Sequence, residues 1–191
     1  MAGADPQEDE IDDIGTGLDG RIVTFYSYKG GTGRSMALAN VAWLLALRGK
    51  RVLVMDWDLE APGIRRFFHP FLSDPALVET DGVLEYVGGL ASLAAHQPKD
   101  TDWTKMPEAF FDEHANILSY ARPLTFPDFP EGGQLDFIPA GRQDRTYPER
   151  LSLFQFVTFY ERLGGRRFME ASTRSGFEGN TTMSCWTAGP G

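Results

Sequence analysis

The segment Lys29–Ser35, with the sequence KGGTGRS, carries the residue types of a phosphate-binding loop, and we call it the glycine loop. Glycines let the backbone turn sharply and point several N–H groups at one place. A helix that begins beside Ser35 aims the positive end of its dipole at the same place. The Ser35 hydroxyl is then placed to ligate Mg²⁺, and the Arg34 cation to contact phosphate. The predicted phosphate-binding residues are Lys29, Gly30, Gly31, Thr32, Gly33, Arg34 and Ser35.

The glycine loop departs from the common phosphate-loop pattern G-x-x-x-x-G-K-[ST]. The first glycine of that pattern would fall at Tyr28 and its lysine at Arg34. The variant that fits is K-G-G-x-G-[KR]-[ST], in which Lys29 is an additional leading lysine. A glycine-rich turn without a ligand is the alternative. It is disfavoured because a strand, the turn and an apolar helix follow one another as the motif requires.

A second polar segment, Asp56–Gly63, follows a second apolar run, and we call it the aspartate loop. Asp56 and Asp58 are two residues apart, directly past a predicted buried strand. Carboxylates at such a position lie at the edge of a sheet where ligands bind. The alternative is an aspartate pair that only caps the turn. Phosphoryl transfer depends mainly on positioning and charge neutralisation. It can therefore be catalysed by a lysine, an arginine, Mg²⁺ and a water-orienting aspartate.

Three elements must position these two loops. Ile22–Tyr26 is apolar and rich in β-branched and aromatic residues, which predicts a buried strand. Met36–Leu47 has no charged residue and predicts a helix that is apolar on almost every face, ended by Gly49. Val52–Met55 predicts a central parallel strand buried on both faces. Such a strand–turn–helix–strand unit is right-handed, so we expect an α/β fold: a parallel sheet with flanking helices.

The remaining chain predicts a further strand, several helices and one irregular stretch. Pro148 is expected near the first turn of the last of these helices. In chain order the predictions are a short aromatic helix at Ile64–Leu72, a helix at Gly82–Leu93, an irregular stretch at Pro98–Gly133 with one strand at Ile117–Ala121, a strand at Leu135–Pro139 and a helix at Pro148–Leu163.

Composition places the chain among globular proteins. Of its 191 residues, 42% are hydrophobic and 24% are charged, so a core can form. The length corresponds to about one domain. No apolar run reaches the length of a membrane span. The lone Cys185 can form neither an internal disulfide nor a cysteine-based metal site. Since residues 1–20 lack the basic start of a secretory signal, we expect a cytoplasmic location.

The charge of the chain is unevenly placed. The formal net charge is −9, and residues 1–20 hold seven acidic residues but no lysine or arginine. The remaining body is therefore nearly neutral, with a net charge of −2. We interpret residues 1–20 as a disordered acidic leader, the alternative being an arm that docks on a basic partner. The net negative charge of the chain does not favour nucleic-acid binding.

The two loops, taken from Tyr26, resemble those of the ParA/MinD family of P-loop ATPases, the group with a deviant Walker A motif. The resemblance covers residues 21 to about 165. It implies a P-loop NTPase fold, ATP and Mg²⁺ as cofactors, a nucleotide-dependent homodimer and a protein effector that the motif does not identify. In this family the leading lysine, here Lys29, reaches the partner's phosphates. The Arg34 version resembles a bacterial subgroup with a Lys-Gly-Gly-Val-Gly-Arg loop.

The resemblance also implies roles for individual residues. Asp58 would orient the attacking water or a Mg²⁺-bound water, and Asp56 would support the metal site from the end of the strand. Gly141 and Arg142 are weaker candidates to line the nucleotide site, and a plain strand-to-turn connection explains them equally well. The catalytic candidates are thus Lys29 and Asp58, and the metal-ligating candidates are Ser35, Asp56 and Asp58.

One expected element is missing from the sequence. A P-loop ATPase needs an apolar strand that ends in an aspartate, the Walker B strand, which helps to hold Mg²⁺. Residues 172–191 show no such pattern, since twelve of the twenty are glycine, serine, threonine or proline. We therefore expect an ATPase domain over residues 21–171, incomplete at its C-terminus, followed by an aberrant, disordered tail over residues 172–191.

A shifted reading frame offers an explanation for the tail. We form new codons from the third base of one codon and the first two bases of the next. The junction of Cys185 and Trp186 then forces leucine, and the junction of Trp186 and Thr187 forces aspartate. The other junctions permit Tyr-Asp-Tyr-Val-Leu-Leu-Asp-Ser-Arg-Thr-Gly, an apolar run that ends in aspartate. The hypothesis is a frameshift between about Ala171 and Asn180.

Three functions follow from the sequence. The first is Mg-ATP binding by a ParA/MinD-like dimerising ATPase switch that hydrolyses ATP in its intact form. The second is a regulatory module that binds nucleotide without hydrolysing it. The third is an inactive remnant. The replacement of the usual lysine by Arg34 and the missing Walker B aspartate are the features that leave hydrolysis open.

Overall fold

The protein is described by a computed structural model that covers residues 20–27, 31–98, 100–178 and 183–188. The predicted leader, apart from Gly20, lies outside these residues. The strands are β1 (Arg21–Tyr26), β2 (Arg51–Trp57), β3 (Arg122–Pro123), β4 (Gln134–Ile138) and β5 (Met183–Ala188). The α-helices are α1 (Arg34–Ala46), α2 (Arg65–Phe68), α3 (Val83–Ala95), α4 (Glu108–His114), α5 (Tyr147–Leu153), α6 (Phe156–Arg162) and α7 (Gly165–Glu178).

The described strands form one sheet in the order β1-β5-β2-β4-β3. The first four in this order run parallel, and only the two-residue β3 pairs antiparallel, with β4. The α/β fold class is confirmed, as are the strands predicted at Ile22–Tyr26, Val52–Met55 and Leu135–Pro139. The expected burial of the first strand is wrong, because β1 lies at the edge of the sheet and Ile22 and Tyr26 are 43% and 48% exposed. Because β1 and β2 run parallel, the loops that follow them begin at the same edge of the sheet.

The sheet is covered on both faces, and β2 shows this most clearly. Leu53 and Met55 belong to a core cluster with α3 and α7. Val52 and Val54 belong to a second cluster with α1. Alternate side chains of a strand point to opposite faces, so the unbroken apolar run of β2 is explained by burial on both sides.

Helix α1 forms as predicted but is buried on one face. Leu38, Ala39 and Ala42 are at most 4% exposed, whereas Met36 and Leu44 are 53% and 55% exposed. The expectation of burial on almost every face is therefore wrong for this helix. The helix ends before Gly49, which has the left-handed φ of 76° expected of a terminal glycine.

The middle of the chain is more helical than predicted. Ile117–Tyr120 is a 3₁₀-helix rather than a strand, and α4 lies within the stretch predicted to be irregular. The single helix predicted at Pro148–Leu163 is divided into α5 and α6. Phe154 and Gln155 leave the helical conformation between them, with ψ angles of 121° and 90°.

The chain beyond Ala171 also differs from the expectation of a disordered tail. Helix α7 continues to Glu178, and Ser172 is 1% exposed. Its hydroxyl donates to the Phe168 carbonyl at 2.6 Å and contacts the Tyr86 hydroxyl. Ser175 donates to the Ala115 carbonyl at 2.7 Å. Because side-chain hydrogen bonds satisfy these serines, a polar composition does not prevent this helix from docking.

Strand β5 was likewise not predicted. It lies between β1 and β2, and Thr187 is in register with both Phe25 and Asp56. A strand with neighbours on both sides satisfies its backbone donors and acceptors whatever its side chains are, which is why sequence pattern did not reveal it. Among the described residues, no helix is both long and apolar enough to span a membrane.

Candidate functional site

The described part of the glycine loop has the backbone of a phosphate-binding turn. Gly31 and Gly33 have φ angles of 74° and 82°, a left-handed conformation that side chains other than hydrogen disfavour. Helix α1 begins directly after Gly33, so its N-terminal N–H groups face this turn. Lys29 and Gly30 lie outside the described residues, and their predicted roles remain predictions.

Arg34 connects the two loops. One of its terminal nitrogens donates to the Ser27 carbonyl at 2.9 Å, and the other lies 3.2 Å from Oδ2 of Asp58. The two charged side chains are only 14% and 11% exposed. A guanidinium makes such fork-like contacts because its donors are fixed in one plane. The residue predicted to contact phosphate is therefore paired with the residue predicted to orient water.

Asp56 organises the aspartate loop from within. Its side chain accepts hydrogen bonds from three backbone N–H groups: those of Gly63 and Ile64 at Oδ2, both at 3.1 Å, and that of Asp58 at Oδ1, at 3.3 Å. Asp56 is 1% exposed. A buried carboxylate needs such donors, and here they fold the loop back onto the end of β2.

Asp58 faces the glycine loop across this fold. Its Oδ1 accepts from the Ala61 N–H at 3.2 Å, and its Oδ2 meets Arg34. Asp58 is 8% exposed. The paired aspartates thus have different roles, because Asp56 accepts three backbone bonds from its own loop and the adjoining Ile64, whereas Asp58 also carries an ion pair to the other loop. Sequence spacing alone did not separate the two.

Ser35 lies against the aspartate loop at Gly63. A β-carbon built on Gly63 would come within 2.7 Å of the Ser35 hydroxyl oxygen. Real β-carbons do not approach another atom so closely, so glycine is required at this position for Ser35 to stay where it is. This role of Gly63 was not predicted from the sequence. The local signal was present, since a glycine after a proline marks a turn.

Tyr147 is a second residue that sequence reasoning missed. Its hydroxyl donates to the Leu59 carbonyl at 2.7 Å and so braces the aspartate loop from α5. Burial, together with the nearby negative charges of Asp56 and Asp58, raises the pKa of Tyr147 to about 12. This contact spans 88 residues of sequence, which is why no local pattern could reveal it.

Arg142 is not part of this assembly. Its Nε donates to Asp81 at 3.1 Å, and its backbone N–H donates to Glu85 at 3.2 Å, so its side chain is directed to the start of α3. Gly141 packs beside Leu84 and Tyr147. The weaker candidates therefore serve the connection between β4 and α3.

The oxygen atoms of the predicted metal-ligating residues suit Mg²⁺ chemically. Ser35 supplies a hydroxyl, and Asp56 and Asp58 supply carboxylates. Within the described residues, no group of three or more histidine, cysteine, aspartate or glutamate side chains has the arrangement of a metal site. That is compatible with Mg²⁺, which is usually held by one or two carboxylates, waters and the phosphates of a nucleotide.

Comparison with known families gives one extended match. Residues 23–153 match the CobQ/CobB/MinD/ParA nucleotide-binding domain. The match includes the glycine loop, the aspartate loop, most of β1 and all of β2. It therefore covers most of the chain and the whole of the site described above.

Individual relatives match over shorter stretches or with lower similarity. The chain is 49% identical over 47 residues to the cytosolic Fe-S cluster assembly factor CFD1 of Yarrowia lipolytica, covering 25% of this chain and 16% of that protein. A plasmid partition protein of Borrelia burgdorferi is 18% identical, with a TM-score of 0.46, over 90% of this chain and 57% of that one. The BceF tyrosine kinase domain is 22% identical, with a TM-score of 0.37, over 89% of this chain and 47% of that one. The chain thus spans about half the length of these solved proteins.

Proposed function

Since the chain belongs to the CobQ/CobB/MinD/ParA family of nucleotide-binding domains, we propose that it binds Mg-ATP at the glycine loop and acts as a ParA/MinD-like ATPase switch. The observation that carries the proposal is the Arg34–Asp58 pair. It joins a turn built from left-handed glycines to a carboxylate loop at the same sheet edge. A phosphate group bound by the glycine loop would therefore lie close to both side chains.

Each residue has a physical role in this proposal. Backbone N–H groups of the glycine loop and the start of α1 bind phosphate oxygens. Arg34 contacts the terminal phosphates by exchanging its carboxylate partner for phosphate oxygens, to which a guanidinium also binds bidentately. Asp58, released by this exchange, orients water, and Lys29 acts on the second protomer's nucleotide.

Ser35, Asp56 and Asp58 are the proposed holders of Mg²⁺. When bound, Mg²⁺ supplies neutralisation of phosphate charge. Ser35 offers its hydroxyl from the first turn of α1, and Gly63 keeps room for it. Asp56 keeps the aspartate loop folded through its three backbone bonds, so that Asp58 stays near Arg34.

Nucleotide titration tests the binding step. We expect Arg34→Ala to weaken Mg-ATP binding at least about tenfold, because it removes a charge-assisted contact worth roughly 1.5–3 kcal/mol. Arg48→Ala is the matched control, since Arg48 is an exposed arginine beyond the far end of α1. Equal affinity in wild type and Arg34→Ala would contradict the proposed site. No rise of the melting temperature with Mg-ATP would favour the inactive remnant.

Turnover and dimerisation are tested separately from binding. We expect Lys29→Ala to lower ATPase activity and to abolish a dimer seen by light scattering with a non-hydrolysable ATP analogue. Asp58→Ala should lower turnover by roughly two to four orders of magnitude, the contribution of a positioned group that assists attack by water. ATPase activity unchanged in the Lys29→Ala/Asp58→Ala double variant would refute the assignment of both residues.

A nucleotide-binding regulatory module without hydrolysis is the second candidate. The observation that favours it is the same ion pair, since Asp58 is already neutralised by Arg34. If the pair persists with nucleotide bound, Asp58 does not orient water and turnover is lost. Tight Mg-ATP binding with no phosphate release above the uncatalysed rate would select this function.

The frameshift hypothesis is also part of our proposal. In its favour, β5 lies between β1 and β2, with Thr187 in register with Asp56. A one-base deletion upstream places the aspartate forced by the shifted frame at position 187. The coding DNA between codons 171 and 191 tests this directly. An alternative frame that lacks the apolar run before this aspartate, or that reaches a stop codon directly after it, would refute it.

A cytoplasmic location and a protein effector complete the proposal. The location rests on the lone cysteine and on the similarity of 47 residues to a cytosolic assembly factor. Fractionation of cells that produce the tagged chain tests it. The effector is proposed as a protein that recognises the nucleotide-bound form, and affinity capture with and without Mg-ATP is the corresponding measurement.

A further inference from the structure

A cavity of about 430 Å³ lies beside β2, on the side away from β1. Its walls come from Asp56 and Pro62 of the aspartate loop, from α2, from the turn before α3 and from the end of β4. β5 and β2 lie between β1 and β4 in the sheet, so this cavity and the glycine loop occupy different parts of the sheet edge. The lining includes Arg65, Arg66, His69, Leu77, Phe137 and Gln143.

The walls of the cavity are tied together by specific hydrogen bonds. Nε of Arg65 donates to the Pro75 carbonyl at 3.0 Å, which joins α2 to the turn before α3. The Gln143 N–H donates to the Leu77 carbonyl at 2.7 Å, which joins that turn to the loop after β4. The cavity is therefore preorganised rather than a gap between unconnected loops.

One residue of the wall is in a strained conformation. Leu77 has a φ angle of 57°, the left-handed region that a branched side chain avoids, yet it is 2% exposed. The turn that holds it is fixed by Asp74, whose Oδ2 accepts from the Glu79 N–H and the Thr80 hydroxyl, both at 2.9 Å. Such strain persists where surrounding contacts impose it, and it is concentrated at ligand sites.

The rim of the cavity carries two positively charged side chains, Arg65 and Arg66. Among the described residues no carboxylate pairs with the guanidinium of Arg65 or of Arg66. The buried carboxylate in the lining, Asp56, already accepts three backbone N–H bonds. The floor is apolar, because Leu77 and Phe137 are buried there. A cationic rim above an apolar floor suits an anion with an apolar body.

We propose that this cavity is a second ligand site, which adjoins the nucleotide site at Asp56 and Pro62, and that it binds a small organic anion. The ligand's phosphate or carboxylate group meets Arg65 and Arg66 at the rim. Its aromatic or aliphatic body lies against Leu77 and Phe137. The proposal does not require Mg-ATP binding to the glycine loop, so the two can fail independently.

Calorimetric titration with phenyl phosphate tests the proposal, with benzyl alcohol as the uncharged counterpart. We expect millimolar or tighter binding of phenyl phosphate, roughly 4 kcal/mol or more, and none of benzyl alcohol. The Arg65→Gln/Arg66→Gln double variant should weaken binding at least about tenfold. Arg48→Gln should leave it unchanged. Arg66→Gln alone keeps the Arg65–Pro75 bond and should give an intermediate loss if the double variant does not fold.

Three results would overturn the proposal. The first is no heat of binding for wild type with phenyl phosphate. The second is equal affinity in wild type and the arginine variants. The third is competition: if Mg-ATP displaces phenyl phosphate and Arg34→Ala abolishes its binding, the ligand occupies the nucleotide site instead. Phenyl phosphate binding that survives in Arg34→Ala while Mg-ATP binding is lost supports two separate sites.

Discussion

The aspartate loop and the described part of the glycine loop meet at one sheet edge but are stabilised in different ways. The aspartate loop is held by Asp56, a buried carboxylate that accepts three backbone bonds. The glycine loop has left-handed glycines and is bridged to its surroundings through Arg34, whose partner is a charged group. The three backbone bonds of Asp56 come from the aspartate loop and the residue that follows it. The Arg34 guanidinium, by contrast, can exchange Asp58 for a phosphate group.

This difference suggests that the two loops respond differently when a ligand binds. A loop fixed by backbone bonds holds its geometry whether or not a ligand is present, because each lost bond would leave a buried polar group unsatisfied. An ion pair between two side chains can exchange one anion for another at small cost. The aspartate loop is therefore the rigid partner, and the Arg34 contact is the part that ligand binding changes.

The strongest test of this comparison is Asp56→Ala beside Asp58→Ala. Asp56→Ala removes the acceptor of three buried N–H groups, and we expect a loss of about 3–5 kcal/mol in the free energy of unfolding. Asp58→Ala removes one backbone bond and a largely buried ion pair, but Arg34 keeps its bond to the Ser27 carbonyl, and about 1–3 kcal/mol is expected. Urea unfolding measures both. Equal losses would mean that Asp56 is not the organising residue.

Gly63→Ala tests the contact between the loops without changing charge. The new methyl group would meet the Ser35 hydroxyl at 2.7 Å, so we expect a loss of about 1–3 kcal/mol and weaker Mg-ATP binding. Gly89→Ala is the control. It lies within α3 with open space around its α-carbon, and should stabilise the protein by about 0.5–1 kcal/mol. A neutral Gly63→Ala would show that the loops are not in tight contact.

The smallest expected effect concerns Tyr147, which braces the aspartate loop from outside. Tyr147→Phe removes its bond to the Leu59 carbonyl and should cost about 1 kcal/mol at neutral pH. The folded protein raises the pKa of Tyr147 from about 10 to about 12, so folding favours the neutral phenol. The part of the folding stability that comes from keeping this phenol neutral is complete below pH ~10 and is lost as the pH rises toward ~12.

Unfolding measured between neutral pH and about pH 12 checks this sign. Wild type should lose stability above pH ~10 more steeply than Tyr147→Phe, since only wild type has the phenol that ionises more readily when unfolded. Parallel curves for the two proteins would mean that the loop does not raise the pKa of Tyr147.

The first half of the domain was largely predictable from sequence because its signals are local. Apolar runs identified β1, β2 and β4, and the composition of the glycine loop identified a turn before α1. The later elements were harder to predict. Ile117–Tyr120 has strand-forming residues but forms a 3₁₀-helix that packs against α7 through Ile117. Tertiary packing overrides weak propensities in such segments.

The sequence by itself determined the α/β class, the phosphate-loop residue types and the spacing of Asp56 and Asp58. These depend on residue type and on short separations, which a linear pattern contains. Only the tertiary structure decided that Arg34 pairs with Asp58, that Tyr147 supports the aspartate loop and that β5 lies between β1 and β2. Such contacts join residues far apart in the chain, and they depend on distance, burial and strand order rather than on local pattern.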